Sequence, residues 1–276
     1  MTSPAADGDR DGPAGTVARS PRRSPTLPET GTSSSSWRQW WRGRARHVSF
    51  AARGWIILAV ASVVLCAAAF AVTTDDVSEQ NGLATGDPSR LRLFVDHRPA
   101  PLVSVARAAT DAGSVPILIA FAVLVGALMW WRGTRLLVAA APAITLGCAG
   151  LAVAIVKPVV ARARPPLGLR LVNETDWSFP SGHATDSAAV FVSLGLVLAV
   201  FVWRRPLFRA LSVVAGLTVS AAIAASRLVL GVHWPTDVLA GWALGTGAAV
   251  VVTTVVAAAI NSRGRRRDVP SSAATC

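Results

Sequence analysis

Two histidines stand where a titrating imidazole can do chemistry. His183 ends the turn-forming stretch Pro180-Ser181-Gly182-His183, and His233 precedes Asp237 by four residues. Near them in the chain lie three cations, Lys157, Arg164 and Arg227, with no carboxylate set evident to neutralise them. Ser181 adds a hydroxyl, and Gly182 lets the backbone approach a ligand closely. A turn feeding a helix N-terminus points free N–H groups at an anion. Such a set fits a phosphate-sized oxyanion, gripped by charge-assisted hydrogen bonds from several directions. Binding alone needs no histidine. One imidazole can attack phosphorus, while the other gives a proton to the leaving oxygen and then activates water. Asp237 shares a face with His233 if the segment is helical, and its carboxylate then orients the ring.

The elements that must position these residues are apolar. The chain has 276 residues, of which 52% are hydrophobic, which excludes an ordinary soluble domain. A net charge of +12 would suit nucleic acid, but the arginines gather in the tails and in short links between apolar runs. That is the pattern of a membrane protein, and nucleic acid is not an expected partner. Six runs, at residues 54–72, 114–131, 136–156, 184–203, 207–225 and 238–260, each come close to the length of a ~30 Å hydrocarbon core. A bilayer offers no water to unpaired backbone groups, so the runs are expected to be helices. The predicted fold class is all-α, a polytopic membrane protein with six transmembrane helices.

Three regions follow from this. Residues 1–53 read as a disordered basic tail, residues 54–260 as the membrane domain, and residues 261–276 as a basic C-terminal tail. The first apolar run begins only after the long polar tail, so no secretory signal peptide is read there. Trp37, Trp40 and Trp41, interleaved with arginines, suit the headgroup layer. Cys66, Cys148 and Cys276 support neither a disulfide framework nor a metal cluster.

Basic residues precede the first run, lie between the second and third and between the fourth and fifth, and follow the sixth. The positive-inside rule makes all four regions cytoplasmic, with both termini inside. The junctions carrying His183 and His233 then face outward. Ionisable residues at membrane level are costly enough to point to function by default. Of 27 basic side chains a single one, Lys157, is lysine, and Pro158 predicts that the third helix ends or bends there. The segment 73–113 is expected to be an outward loop. Arg162, Arg170, Glu174, Asp176 and Trp177 read either as headgroup-shaping residues or as loop filler. Asp186 reads as a helix cap, with a hydrogen bond to His183 as the alternative. Gly241 and Gly245 form a GxxxG pair expected to mark close helix packing, with dimerisation as the weaker option.

Lys157 with Arg164-Pro165 reads K-x6-RP, residues 180–183 read PSGH, and Ser226-Arg227 with His233 and Asp237 reads SR-x5-H-x3-D. In order and spacing these three motifs resemble the type 2 phosphatidic acid phosphatase (PAP2) family of integral membrane lipid phosphatases. The resemblance implies that His233 is a nucleophile forming a phosphohistidine, with Asp237 as its partner and His183 as general acid and base. It implies a phosphoryl cradle of Lys157, Arg164, Ser181, Gly182 and Arg227, and chemistry without a metal or other cofactor. The expected partners are the bilayer and a lipid phosphate or diphosphate, such as polyprenyl diphosphate, phosphatidic acid or phosphatidylglycerol phosphate. Oligomeric state stays open. A phosphotransferase using the same site, and a non-enzymatic lipid-phosphate transporter or receptor, are the alternatives.

Overall fold

The computed structural model describes residues 52–267, with side chains from 54 to 262, and among them every regular element is helical. The N-terminal tail with its tryptophans and the C-terminal tail beyond these limits lie outside the described residues. Helix α1 spans Ala52–Glu79, followed by the short α2 (Gly82–Thr85), α3 (Asp87–Val95) and α4 (Ala100–Ala112). Then come α5 (Val115–Trp131), α6 (Leu136–Ala139), α7 (Ala141–Val160), α8 (Gly182–Val197, continued by a π-turn at Leu198–Val202), α9 (Pro206–Val229) and α10 (Pro235–Arg267). Prolines at positions 116, 142, 206 and 235 sit in first turns, where the missing N–H costs no intrahelical bond.

Among the described residues five helices are long and apolar enough to cross a bilayer, and α4 with α5, bent by 59° at Gly113–Ser114, makes a sixth candidate span. The protein is a multi-pass, all-α membrane protein. Two local expectations are corrected. Segment 73–113 is not a loop: α1 runs on to Glu79, and α2 to α4 occupy most of the remainder. These short helices lack the long apolar period that flags a span, yet they bury Leu91, Val95 and Ala106 against the bundle. Nor does the third span end at Lys157. Helix α7 continues through Pro158 to Val160 and closes with the Ala161 amide donating to the Lys157 carbonyl oxygen at 2.9 Å, with Ala161 left-handed at φ 46°. So close to the helix end, Pro158 forfeits a single amide donor, which the remaining turn tolerates.

Helix α8 is the axis of the bundle. Its apolar window is 72% buried, against 11–44% for the other spans. Ala188, Val192 and Leu196 pack with Ala249 and Val250 of α10 and Ala59 of α1, while Val190 packs with Leu118 and Ala122 of α5 and Leu146 of α7. The GxxxG pair is spent inside the molecule. A Cβ on Gly241 would lie 2.5 Å from the Ser181 carbonyl oxygen, and one on Gly245 would run into that of Thr185. Only glycine lets the α10 backbone rest directly on α8. The turn that opens α8 is thereby seated on the first turns of α10.

Candidate active site

Four helix ends meet around one cavity of about 630 Å³. The C-terminus of α7 supplies Lys157, the following segment Arg164, the N-terminus of α8 Gly182 and His183, the C-terminus of α9 Arg227, and the α9–α10 turn His233. Seven of the eight residues singled out from the sequence for this site line the cavity or support a residue that does. Ser181 is the exception. It is fully buried, its hydroxyl has no partner among the described residues, and its amide donates to the Asp237 carbonyl oxygen at 3.0 Å. No side chain caps the first turn of α8, so its leading amides are free to face an anion.

His233 is buried and held from both sides. Its Nδ1 lies 3.4 Å from Asp237 Oδ2, and its Nε2 lies 3.1 Å from Arg164 Nη1. A guanidinium can only donate, so Nε2 must present its lone pair, and the carboxylate across the ring keeps the proton on Nδ1. Burial pushes the His233 pKa down to about 4, against the opposing pull of Asp237 and with help from Arg164 and Arg227. The ring is therefore neutral at physiological pH, with an unprotonated Nε2 at the cavity wall. His183 is half-buried, lines the same cavity and makes no side-chain hydrogen bond among the described residues.

Asp237 is fixed by residues that the motifs do not contain. Ser178 Oγ donates to Asp237 Oδ2 at 2.5 Å, as does the Trp234 amide at 2.9 Å. Arg162 Nη1 reaches Asp237 Oδ1 at 2.5 Å, while its Nη2 reaches Asp87 Oδ2 at 2.7 Å. Asp87, buried at the start of α3, also accepts from the Thr236 amide and hydroxyl at 3.1 and 2.5 Å. Arg162 thus neither shapes a headgroup nor fills a loop. It ties the carboxylate behind His233 to α3, in the segment expected to be irregular.

The expectation that no carboxylates neutralise the three cations is overturned. Asp176 pairs with Lys157 and, at 2.5 Å, with Arg164 Nη2; Glu174 pairs with Arg227 and stands 3.8 Å from Arg164. Arg227 also donates to the Thr110 hydroxyl. Burial alone would raise both carboxyl pKa values, yet the cations outweigh it. Lys157 and Arg164 hold Asp176 at about 2, while Arg227 and Arg164 keep Glu174 below the usual carboxylate range. Both acids stay ionised and paired until the pH falls through those lowered values, so the loop is latched at any ordinary pH. Three cations against two carboxylates leave the resting cradle with one net positive charge. Arg170 braces the same loop through the Pro165 and Glu174 carbonyl oxygens, whereas Trp177 is exposed.

Asp186 neither caps α8 nor bonds His183. It lies beyond the first turn, where no free amide is left to cap, and among the described residues its carboxyl has no hydrogen bond. The rest of the cavity is apolar, a groove between α5 (Val115, Ile119, Val123) and α7 (Leu146, Leu151, Ala154). Polar chemistry sits at one end and a hydrocarbon-compatible channel at the other.

The model of the PAP2 superfamily matches residues 138–261, which contain every cavity-lining ionisable residue named above. Phosphatidylglycerophosphatase B of Bacillus subtilis (strain 168) is 30% identical over 175 residues, covering 60% of this chain and 80% of that protein. An undecaprenyl-diphosphatase of Sulfolobus acidocaldarius is 34% identical over 119 residues, covering 41% of this chain and half, 50%, of its relative. The crystal structure of a transmembrane PAP2 type phosphatidylglycerolphosphate phosphatase from Bacillus subtilis superposes with a TM-score of 0.63 at 23% identity, over 76% of this chain and 98% of that one, and so shares the fold. Sequence, family model and fold converge, and the chain belongs to the PAP2 superfamily.

Proposed function

We propose that this protein is a membrane phosphatase that removes phosphate from a lipid phosphate or diphosphate through a phosphohistidine on His233. The observation that carries the reading is the neutral, Asp237-backed His233, its Nε2 held by Arg164 at the wall of a cavity that is cationic at one end and apolar along its length. Nε2 attacks phosphorus, the bond from phosphorus to the lipid-side oxygen breaks, and His183 gives that oxygen a proton. Water then attacks phosphorus as His183 takes its proton, the phosphorus–nitrogen bond breaks, and inorganic phosphate leaves with His233 restored. Lys157, Arg164, Arg227 and the first amides of α8 hold the charge that grows on the phosphoryl oxygens. Ser181 joins them if its orphaned hydroxyl turns toward the cavity floor.

The relatives supply the substrate candidates, phosphatidylglycerophosphate and undecaprenyl diphosphate, beside phosphatidic acid. The far ends of the spans carry Arg132 and Arg135 after α5, and Arg204 and Arg205 after α8. The positive-inside rule turns those ends to the cytoplasm and the cavity outward. The test is release of inorganic phosphate from these three lipids by purified protein, with and without vanadate, which copies the five-coordinate phosphorus of the transition state. Release that vanadate suppresses is expected. Added to sealed right-side-out cells, the same lipids should yield phosphate in the medium. Binding without any release would favour a transporter or receptor, and phosphate recovered only on an alcohol acceptor would favour a transferase.

The paired cradle makes a second expectation. Substrate phosphoryl oxygens must replace Glu174 and Asp176 on the three cations. Converting both to their amides, Glu174→Gln with Asp176→Asn, keeps an acceptor in place but removes two negative charges. We expect KM to fall roughly three- to tenfold, as for an interaction shared by ground and transition states, and inhibition by inorganic phosphate to tighten in step. An unchanged KM would mean that the loop does not compete with substrate.

A further inference from the structure

Among the described residues, Asp186 is the one carboxyl on the cavity wall that no cation pairs with. It is only 5% exposed, and its Oδ1 has no hydrogen-bond partner. An unsatisfied buried carboxyl costs stability, so its presence calls for something that uses it. Its placement says where that something lies. Asp186 is three residues, close to one turn, along α8 from His183. One carboxyl oxygen is 3.9 Å from where a Cβ on Gly182 would stand, and the other is 3.9 Å from the same point on Gly150. Gly182 belongs to the phosphate end, while Gly150 lies on α7 two turns inward from Lys157. The carboxyl therefore spans the boundary between cradle and apolar groove, and the bare backbones of Gly147 and Gly150 leave room opposite it.

A lipid whose phosphorus sits at His233 and whose chain runs out along the groove must pass its leaving alcohol across Asp186. A carboxyl at that point takes a hydrogen bond from a hydroxyl and repels a second phosphate. We infer that Asp186 reads the leaving alcohol, selecting lipid phosphates whose phosphate is carried on a polyol, such as glycerol or a sugar, over polyprenyl diphosphates. This rests on the phosphatase reading above and narrows its substrate class. A site built to bond a hydroxyl discriminates strongly, because the analogue without it leaves a buried polar group unpaired.

The experiment compares wild type, Asp186→Ala and Asp186→Asn on phosphatidylglycerophosphate, whose scissile phosphate sits on a glycerol with a free hydroxyl, and on undecaprenyl diphosphate. Wild type should favour the former by tenfold or more in kcat/KM, an order-of-magnitude expectation. Asp186→Ala should lose about tenfold on the glycerol lipid, mainly through KM, and improve on the diphosphate, so the preference collapses. Asp186→Asn keeps an acceptor without the charge and should retain most of the glycerol rate while also gaining on the diphosphate. Neither variant should melt below wild type, since each removes an unpaired buried carboxyl. A preference ratio that Asp186→Ala leaves unmoved, or a marked drop in melting temperature, overturns the inference alone. A wild type that releases phosphate from neither lipid overturns the phosphatase reading, and the inference falls with it.

Discussion

His233→Ala should lower phosphate release by roughly a thousandfold or more, because it removes the group that bonds to phosphorus and not merely one that holds it. The variant should remain folded. Asp237 keeps Ser178, the Trp234 amide and Arg162 as partners, so no buried carboxylate is stranded. Phosphate release from lipid micelles, with melting temperature as the control, checks both halves of the expectation. A variant retaining a tenth of wild-type activity would remove His233 from the nucleophile's role. The wild-type pH profile carries a related signature. A His233 pKa lowered to about 4 keeps the lone pair available above that value, and protonation removes it below. The acidic limb of kcat/KM should therefore break near pH 4 instead of near 6.5, the ordinary histidine value.

Arg164→Lys should cost about a hundredfold in kcat, although the charge is kept. Arg164 uses its whole fork: Nε donates to the Asp176 carbonyl oxygen at 2.8 Å, Nη1 to the Val232 carbonyl oxygen at 2.9 Å while facing His233 Nε2, and Nη2 to the Asp176 carboxylate. An ammonium cannot hold the backbone on either side of the nucleophile and also meet the phosphoryl group. The loss should fall on kcat more than on KM, since geometry at the attacking nitrogen matters most in the transition state. Equal activity of the lysine variant would reduce Arg164 to a point charge.

The place of the candidate site was legible in the sequence where residue type and spacing both constrain it. Lys157, Arg164, Gly182, His183, Arg227 and His233 come from parts of the chain up to 76 positions apart, at or beside the ends of four helices, yet all line one cavity. The membrane explains this legibility, because polar residues at the ends of apolar runs stand out against their background. What supports the site was hidden for the converse reason. Asp87 opens a short helix in which Arg90 and Arg92 interrupt the apolar residues, so no run announces a packed element. Its link to Thr236 crosses 149 positions. Glu174 and Asp176 are acids in a polar loop, and nothing local says that they fold back onto the cations. Pro158 suggested a helix end, but a preference of one residue yields when the turn it weakens is the last. Asp186 was misplaced because its role depends on what is absent around it, which no spacing encodes.

The latch formed by Glu174 and Asp176 also bears on how a turnover ends. In the proposed cycle, inorganic phosphate left on Lys157, Arg164 and Arg227 would face two tethered carboxylates that need no diffusion to return. Their local concentration is fixed by a short segment braced through Arg170 and by the Ser178 amide donating to the Arg162 carbonyl oxygen at 2.9 Å. Exchange of one set of anions for the other lowers the affinity for product as much as for substrate. A phosphatase with such a latch is kept from clogging on what it makes.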